Sequence, residues 1–106
     1  MGITGAMKLA AFTQALGLDI QYHACGPAHR AVFAATPNTH FYEMALIGPG
    51  MPNVVPPVYD DDYSDQPDAL GADGCLPLPS GMGLGVSYDW DRIRSTAVET
   101  LTYRDE

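Results

Sequence analysis

Residues 18–43 read LDIQYHACGPAHRAVFAATPNTHFYE, and this stretch decides which fold is expected. Its two ends, residues 18–23 and 39–43, are short apolar segments of the kind that form strands. Between them, Pro27 to Thr36 has a helical pattern, and proline suits the first position of a helix. A strand, a helix and a strand in this order imply two parallel strands. The stretch therefore predicts an α/β fold.

Two polar residues end the predicted strands: His23 ends the first and Glu43 ends the second. In a β/α barrel, polar side chains at the C-terminal ends of successive strands point into the active site. The ordinary pKa of histidine lies near neutrality, so a histidine beside a carboxylate is typical of a proton-transfer pair. The plainer alternatives are a histidine that bonds to backbone and a solvated carboxylate. A complete barrel has eight such units, and a chain of 106 residues has room for two.

The first half, residues 1–47, is predicted to contain helix, strand, helix and strand in that order. Thr4 can cap a first helix that runs from about Gly5 to Leu16. Gly17 then ends this helix, as glycine does just past a helix terminus. The second strand can continue through Ile47. Regular structure is therefore expected mainly in this half.

The second half, residues 48–106, is predicted to be a loop-rich strap. Prolines and glycines between 48 and 72 interrupt any regular element, so this part reads as an extended loop. After it we expect a turn at Asp73-Gly74, a short strand from Cys75 to Leu78, and a short helix from Trp90 capped by Asp89. A loop of this length is unusual inside a compact domain. The strap is therefore expected to pack on something larger.

The charge of the chain limits its partners. The formal charge is −8, and lysine and arginine together number five. So few cations cannot form a basic face, which argues against nucleic acid and anionic membranes. No apolar run approaches the length that spans a bilayer, and the N-terminus lacks the pattern of a secretory signal. Two cysteines, Cys25 and Cys75, do not make a disulfide scaffold, so we expect a cytoplasmic protein.

Three further patterns resemble ligand sites, and each is a weak candidate. His23, Cys25 and His29 are close in sequence, but zinc sites usually have four ligands with a recurrent spacing. The acidic run at residues 60–62 lacks the ligand order of an EF-hand and fits a solvated loop. The glycines between 81 and 85 lack the Gly-Lys-Ser or Gly-Lys-Thr ending of a phosphate-binding loop.

An ordered set of short motifs runs through most of the chain. It consists of Gly2-Ile3-Thr4-Gly5, His23, the segment 34–43, the segment 73–79, and Gly83-Leu84-Gly85-Val86. Together these resemble the C-terminal end of the enolase superfamily, in its mandelate racemase branch. The resemblance implies the last two βα units of a TIM-type (β/α) barrel, followed by a loop-rich C-terminal strap. This is the fold that we expect.

The resemblance also implies roles for the two polar residues. In the family, a histidine that ends strand seven is the general base, so His23 would be the base. A glutamate that ends strand eight hydrogen-bonds the substrate carboxylate as it becomes an enediolate, so Glu43 would be the electrophilic partner. Glu43 can donate this bond only when protonated. The family's Mg²⁺ ligands, the carboxylate that orients the histidine, and the capping domain would lie on parts that these 106 residues do not include.

The implied parent activity is that of a magnesium-dependent acid-sugar dehydratase or a related racemase, which abstracts a proton next to a carboxylate. We expect the chain alone to be inactive on such a small-molecule carboxylate. One alternative is a non-catalytic fragment that assembles with a complementary chain, or with itself through exposed strand edges. Another is a degenerate gene product. The family interpretation was expected to require that residues 18–23 and 39–43 form adjacent parallel strands.

Overall fold

A computed structural model describes residues 2–44 and 58–103 of the chain. These residues form three α-helices: α1 (Ile3–Ala15), α2 (Pro27–Ala34) and α3 (Trp90–Thr96). One turn of 3-10 helix, Pro67–Ala69, lies between α2 and α3. Helices α1 and α2 contact each other. None of the helices in the described ranges is long and apolar enough to cross a membrane.

The end of α1 matches the prediction, whereas its start does not. Gly17 has a φ of +68°, the left-handed conformation that glycine adopts most readily. This conformation lets the Leu18 N–H donate to the carbonyl of Thr13 at 2.9 Å, which closes the helix end. The prediction that Thr4 caps α1 is wrong, because the helix begins two residues earlier, at Ile3, with Gly2 at its N-cap.

The starts of the other two helices follow from local residues. Pro27 occupies the first turn of α2, where the missing N–H of proline removes no helical hydrogen bond. The Asp89 carboxylate accepts a hydrogen bond from the Arg92 N–H at 2.9 Å and caps α3 as predicted. Local chemistry therefore places these two starts.

The predicted strands do not form. Residues 18–23, 39–43 and 75–78 are irregular, and the structure shows no β-strand anywhere in residues 2–44 or 58–103. The prediction of a partial TIM-type barrel with two βα units is therefore wrong. The proposed continuation of the second strand through Ile47 lies outside the described residues.

The contacts between residues 18–23 and 39–43 explain this difference. The segments run side by side, and the Ile20 N–H donates to the carbonyl of Asn38 at 3.0 Å. The oxygen and the nitrogen of the Gln21 amide both find partners in one orientation. The oxygen accepts from the His40 N–H at 3.3 Å, and the nitrogen donates to the carbonyl of Phe41 at 3.1 Å. A side chain thus bonds the backbone groups that a ladder would use. Parallel strands are normally covered on both faces, whereas Phe41 is 81% exposed.

In the second half, two segments meet in antiparallel contact. Tyr59 and Tyr88 form a single bridge. The Asp60 N–H donates to the carbonyl of Ser87 at 3.2 Å. The predicted turn at Asp73-Gly74 is present, with Gly74 at a φ of +77°. These contacts fold residues 58–89 of the strap back on itself.

The centre of the described part is polar. Its buried apolar side chains are Ala10, Pro27 and Val32, and its buried polar residues are Arg30, Thr36 and Asp65. Many large apolar side chains are instead exposed, among them Phe12, Leu16, Leu18, Phe41 and Leu101. Hydrogen bonds and one ion pair therefore hold this centre together, more than an apolar core does.

Candidate functional site

The structure brings His23 and Glu43 together. His23 Nδ1 lies 2.9 Å from Glu43 Oε2. The side chain of His23 is 93% exposed and that of Glu43 is 46% exposed. Because Nδ1 faces the carboxylate, the opposite nitrogen, Nε2, is the one that an incoming molecule can reach. The pair predicted from the sequence is thus a surface pair with one accessible ring nitrogen.

The turn after His23 bonds the same carboxylate. Ala24 has a φ of +76°, a left-handed conformation that costs a non-glycine residue about 1–2 kcal/mol. Its N–H donates to Glu43 Oε2. This bond stabilises the ionised carboxylate and, with the nearby charge of His23, lowers the pKa of Glu43. Glu43 is therefore ionised at neutral pH and accepts hydrogen bonds there.

A cavity of about 410 Å³ lies beside His23, between α1 and α2. Apolar side chains such as Ile3, Leu9 and Val32 line much of it, and His23 and His29 contribute its imidazole rings. An apolar cavity with a few polar groups is the usual form of a small-molecule site. The position of His23 on this cavity gives the ring access to a bound ligand.

A second cluster, centred on Asp65, is more deeply buried than the predicted site. The guanidinium of Arg30, on α2, donates from Nη2 to Asp65 Oδ1 at 2.7 Å. Both side chains are nearly inaccessible, with 4% of Arg30 and 1% of Asp65 exposed. Arg30 also donates to the carbonyls of Ser64 at 2.6 Å and Pro77 at 2.9 Å. This one side chain therefore joins α2 to two parts of the strap.

Two tyrosines complete the cluster around Asp65. The Tyr42 hydroxyl donates to Oδ1 at 2.6 Å, and the Tyr63 hydroxyl donates to Oδ2 at 2.7 Å. The guanidinium carbon of Arg30 lies 4.4 Å from the centre of the Tyr63 ring, within the range of a cation–π contact. Burial, together with the hydrogen bond to Asp65, raises the pKa of both tyrosines. Both hydroxyls are therefore neutral donors at physiological pH.

Sequence reasoning missed this cluster. Asp65 closely follows the acidic run at residues 60–62, which the sequence predicts to be a solvated loop. The available signal was weak: Arg30 is a single cation within the apolar pattern of α2, and a buried cation requires a partner. Nothing in the spacing indicates that the partner lies 35 residues further along the chain.

The structure also shows the surroundings of the residues in the candidate metal-binding patterns. Among the described residues, no group of three or more His, Cys, Asp or Glu side chains could hold a metal ion. His23, Cys25 and His29 therefore do not form such a group. Asp61 instead accepts hydrogen bonds from the N–H groups of Tyr63, at 3.1 Å, and Ser87. The described residues thus do not fit the Mg²⁺ that the resemblance implies.

Comparison with known proteins gives one match. The family model described as enolase C-terminal domain-like matches residues 1–92, which include His23, Glu43 and the Asp65 cluster. No curated protein and no solved structure matches the chain. The family match holds although residues 18–23 and 39–43 form no strands. The expected requirement for adjacent parallel strands was therefore too strict.

Proposed function

The chain belongs to the enolase C-terminal domain-like family, and on this premise we propose that it carries the proton-transfer pair of an enolase-superfamily enzyme. The proposed reaction removes the proton next to a carboxylate in a small acid sugar, as a dehydratase or racemase does. His23 is the proposed base. These 106 residues supply this pair and are inactive by themselves.

The observation that carries the proposal is the contact of 2.9 Å between His23 Nδ1 and Glu43 Oε2. A carboxylate at Nδ1 fixes the ring orientation and favours the tautomer with its proton on Nδ1. Nε2 is then the basic nitrogen. The two residues lie 20 positions apart in the chain, so the contact requires tertiary structure and is not a local accident.

The proposed step transfers one proton and leaves its electron pair on the substrate. His23 Nε2 takes the α-proton, and the C–H electrons move into the carboxyl group to form an enediolate. The imidazolium formed is stabilised by the ionised Glu43 beside it. Protonation of the enediolate on the opposite face by a second acid gives racemisation, and departure of a β-hydroxyl as water, protonated as it leaves, gives dehydration. A positioned general base of this kind contributes about 10²–10⁴-fold in rate.

The role of Glu43 depends on its protonation. An electrophilic partner must donate a proton to the enediolate, and the lowered pKa of Glu43 opposes this in the chain as it stands. We therefore assign Glu43 here as the ionised partner of His23. Donation to the substrate would require burial that raises its pKa, which an additional covering segment would provide.

The test supplies the rest of the site in trans. A family member truncated before its own histidine strand is mixed with this chain in D₂O with Mg²⁺ and a panel of acid sugars. Exchange of the α-proton for deuterium is followed by NMR. We expect exchange in the mixture and none with either chain alone. His23→Asn should reduce exchange by at least about 10²-fold, while His40→Asn serves as the matched control.

His40 is a suitable control because it also pairs with a carboxylate, Asp19, at 3.2 Å, but lies outside the His23 cavity. Exchange by the 106-residue chain alone would contradict the proposed inactivity. Equal exchange by the mixture containing His23→Asn would contradict the assignment of the base. No exchange in any mixture would contradict the proposed function itself.

A second candidate function, assembly, is favoured by the exposed apolar side chains. Phe12 on α1 is 61% exposed, and Leu16 and Leu18, which follow the helix, are 58% and 54% exposed. Exposed large apolar side chains that are close along the chain are candidates for a protein contact site. We propose that this patch, defined by Phe12, Leu16 and Leu18, associates with a complementary chain or with a second copy.

Sedimentation velocity over a range of concentrations tests self-association, and the same runs with the truncated family member test the complementary chain. Phe12→Glu should abolish the concentration-dependent species. Met82→Glu is the control, because Met82 is 99% exposed but belongs to the strap and is not one of the three patch residues. A monomer at all concentrations, with and without the other chain, would rule out this candidate.

A further inference from the structure

The Tyr42 hydroxyl connects the buried Asp65 cluster to the turn that follows His23. Its oxygen lies 2.9 Å from the Gly26 nitrogen and 3.2 Å from the Gly26 carbonyl oxygen. It also lies 2.6 Å from Asp65 Oδ1. Tyr42 immediately precedes Glu43 in the chain. One hydroxyl thus joins the residue before Glu43 to the backbone of the turn.

The direction of the hydroxyl follows from its partners. A tyrosine hydroxyl has one proton to donate and can accept through its oxygen. A carboxylate is the stronger acceptor, and its contact at 2.6 Å is shorter than the 3.2 Å contact to the carbonyl. The proton therefore goes to Asp65. The oxygen then accepts the Gly26 N–H, and Asp65 makes it a better acceptor by polarising it.

The turn requires these hydrogen bonds because its backbone is strained. Ala24 has a φ of +76°, and a conformation of this kind persists only when surrounding contacts impose it. On one side of the turn, the Ala24 N–H donates to Glu43 Oε2. On the other side, the Gly26 N–H donates to Tyr42. Glu43 and Tyr42, which are neighbours in the chain, thus each hydrogen-bond one side of the turn.

From this geometry we infer that Tyr42 is a positioning residue for the His23–Glu43 pair. Its hydroxyl holds the Gly26 end of the turn, and this keeps the Ala24 N–H on the Glu43 carboxylate and His23 beside it. Asp65 directs the hydroxyl from the buried side. The inference deepens the proposed function and rests on it for its meaning, but the contacts themselves can be tested without any substrate.

The test is a pH titration of the ¹⁵N-labelled chain by NMR. The Ala24 amide proton should move as Glu43 ionises, because it donates to that carboxylate. The charges of His23 and His29 also lower the pKa of Glu43, so the ring protons of both histidines are followed in the same samples. In Tyr42→Phe, we expect the Ala24 amide to lose most of this pH-dependent movement. The midpoint should rise towards the ordinary pKa of a glutamate.

Tyr63→Phe is the matched control. Its hydroxyl also donates to Asp65, at 2.7 Å, whereas the Gly26 hydrogen bonds seen in the described part of the chain go to Tyr42 and Arg30. Both variants keep an aromatic ring and remove one hydrogen bond to the same carboxylate, so a purely structural role would affect the Ala24 titration equally. We expect Tyr63→Phe to lower stability yet leave the Ala24 titration as in the wild type.

Three results would overturn the inference. They are an unchanged Ala24 titration in Tyr42→Phe, the same change in both variants, or a wild-type Ala24 amide whose chemical shift does not follow the ionisation of Glu43. Each is visible without turnover. Failure of deuterium exchange in the mixing experiment would instead contradict the proposed function and leave these contacts intact, so the two failures are distinguishable.

Discussion

The buried carboxylate of Asp65 should be the most sensitive single group in the described part of the chain. It accepts on both oxygens: Oδ1 from Arg30 and Tyr42, and Oδ2 from Tyr63. Asp65→Asn keeps the size of the side chain, but an amide has one acceptor oxygen and no charge. Arg30 then stays buried without its counter-ion, and at least one donor faces an NH₂ group.

The expected loss can be worked from these contacts. Removing one partner of a buried ion pair costs about 3–5 kcal/mol. A chain of this length has a free energy of unfolding of about 5–15 kcal/mol. Because few apolar side chains are buried among residues 2–44 and 58–103, we place this protein at the low end of that range. Asp65→Asn should therefore bring the protein close to unfolding in the absence of denaturant.

Urea titration followed by far-ultraviolet circular dichroism measures this loss. With a slope of about 2 kcal/mol per M, the midpoint should fall by about 2 M. Asp68→Asn is the control, because Asp68 is an exposed acid of the same loop, and its side chain accepts a hydrogen bond from Ser64 Oγ at 3.0 Å. It should change stability by about 0.5 kcal/mol or less.

Adding Arg30→Met to Asp65→Asn provides a further check. Removing the buried cation as well removes the charge that Asp65→Asn leaves unpaired, so the double variant should lose less stability than the sum of the two single variants. A shift for Asp65→Asn no larger than that for Asp68→Asn would refute the reasoning. So would strict additivity of the two single changes.

Three smaller effects should follow. Gly17→Ala, at a φ of +68°, should lower the free energy of unfolding by about 1–2 kcal/mol in urea titration. Asp89→Ala removes the cap that accepts from Arg92, and should weaken α3 by about 0.5–2 kcal/mol, seen in its amide chemical shifts. Burial raises the pKa of Tyr63 and raises that of Tyr59 to about 12. The unfolded chain releases these protons from about pH 10, so stability should be full below that pH and fall as pH rises towards 12, which circular dichroism will record.

Each of these has a discriminating comparison. Gly5→Ala is the control for Gly17→Ala, because Gly5 lies inside α1 with helical backbone, where alanine is favoured over glycine. Equal losses in the two variants would contradict the conformational argument. Unchanged α3 shifts in Asp89→Ala would contradict the capping assignment. A helical signal that stays constant from pH 9 to 12 would contradict the burial of the tyrosines.

The sequence predicted the parts of the fold that depend on neighbouring residues. Gly17, Pro27 and Asp89 mark helix ends correctly, because each acts on backbone groups within a few positions of itself. Thr4 was misplaced by the same reasoning, since a helix boundary can shift by one or two residues at little cost. The pairing of His23 with Glu43 was also predicted, from their places after two matching segments.

The strands could not be predicted correctly from these residues alone. Residues 18–23 and 39–43 have the composition of buried strands, but a parallel pair needs further strands beside it and cover on both faces. In the described part of the chain, Gln21 bonds the backbone where a ladder would lie. The strand-like composition of the two segments is therefore a property of the family to which the chain belongs. The contacts that the segments make are limited to the partners present in the described residues.

By itself, the sequence determined the helices, the family and the two residues of the proposed proton-transfer pair. All of these depend on residue types and on spacing along the chain. Only the tertiary structure decided that Asp65 is buried against Arg30 and that Tyr42 links this pair to the turn beside Glu43. The physical reason is that a carboxylate in an acidic loop is solvated unless a distant cation and donors close around it. Contacts across 35 residues leave no periodic trace in the sequence.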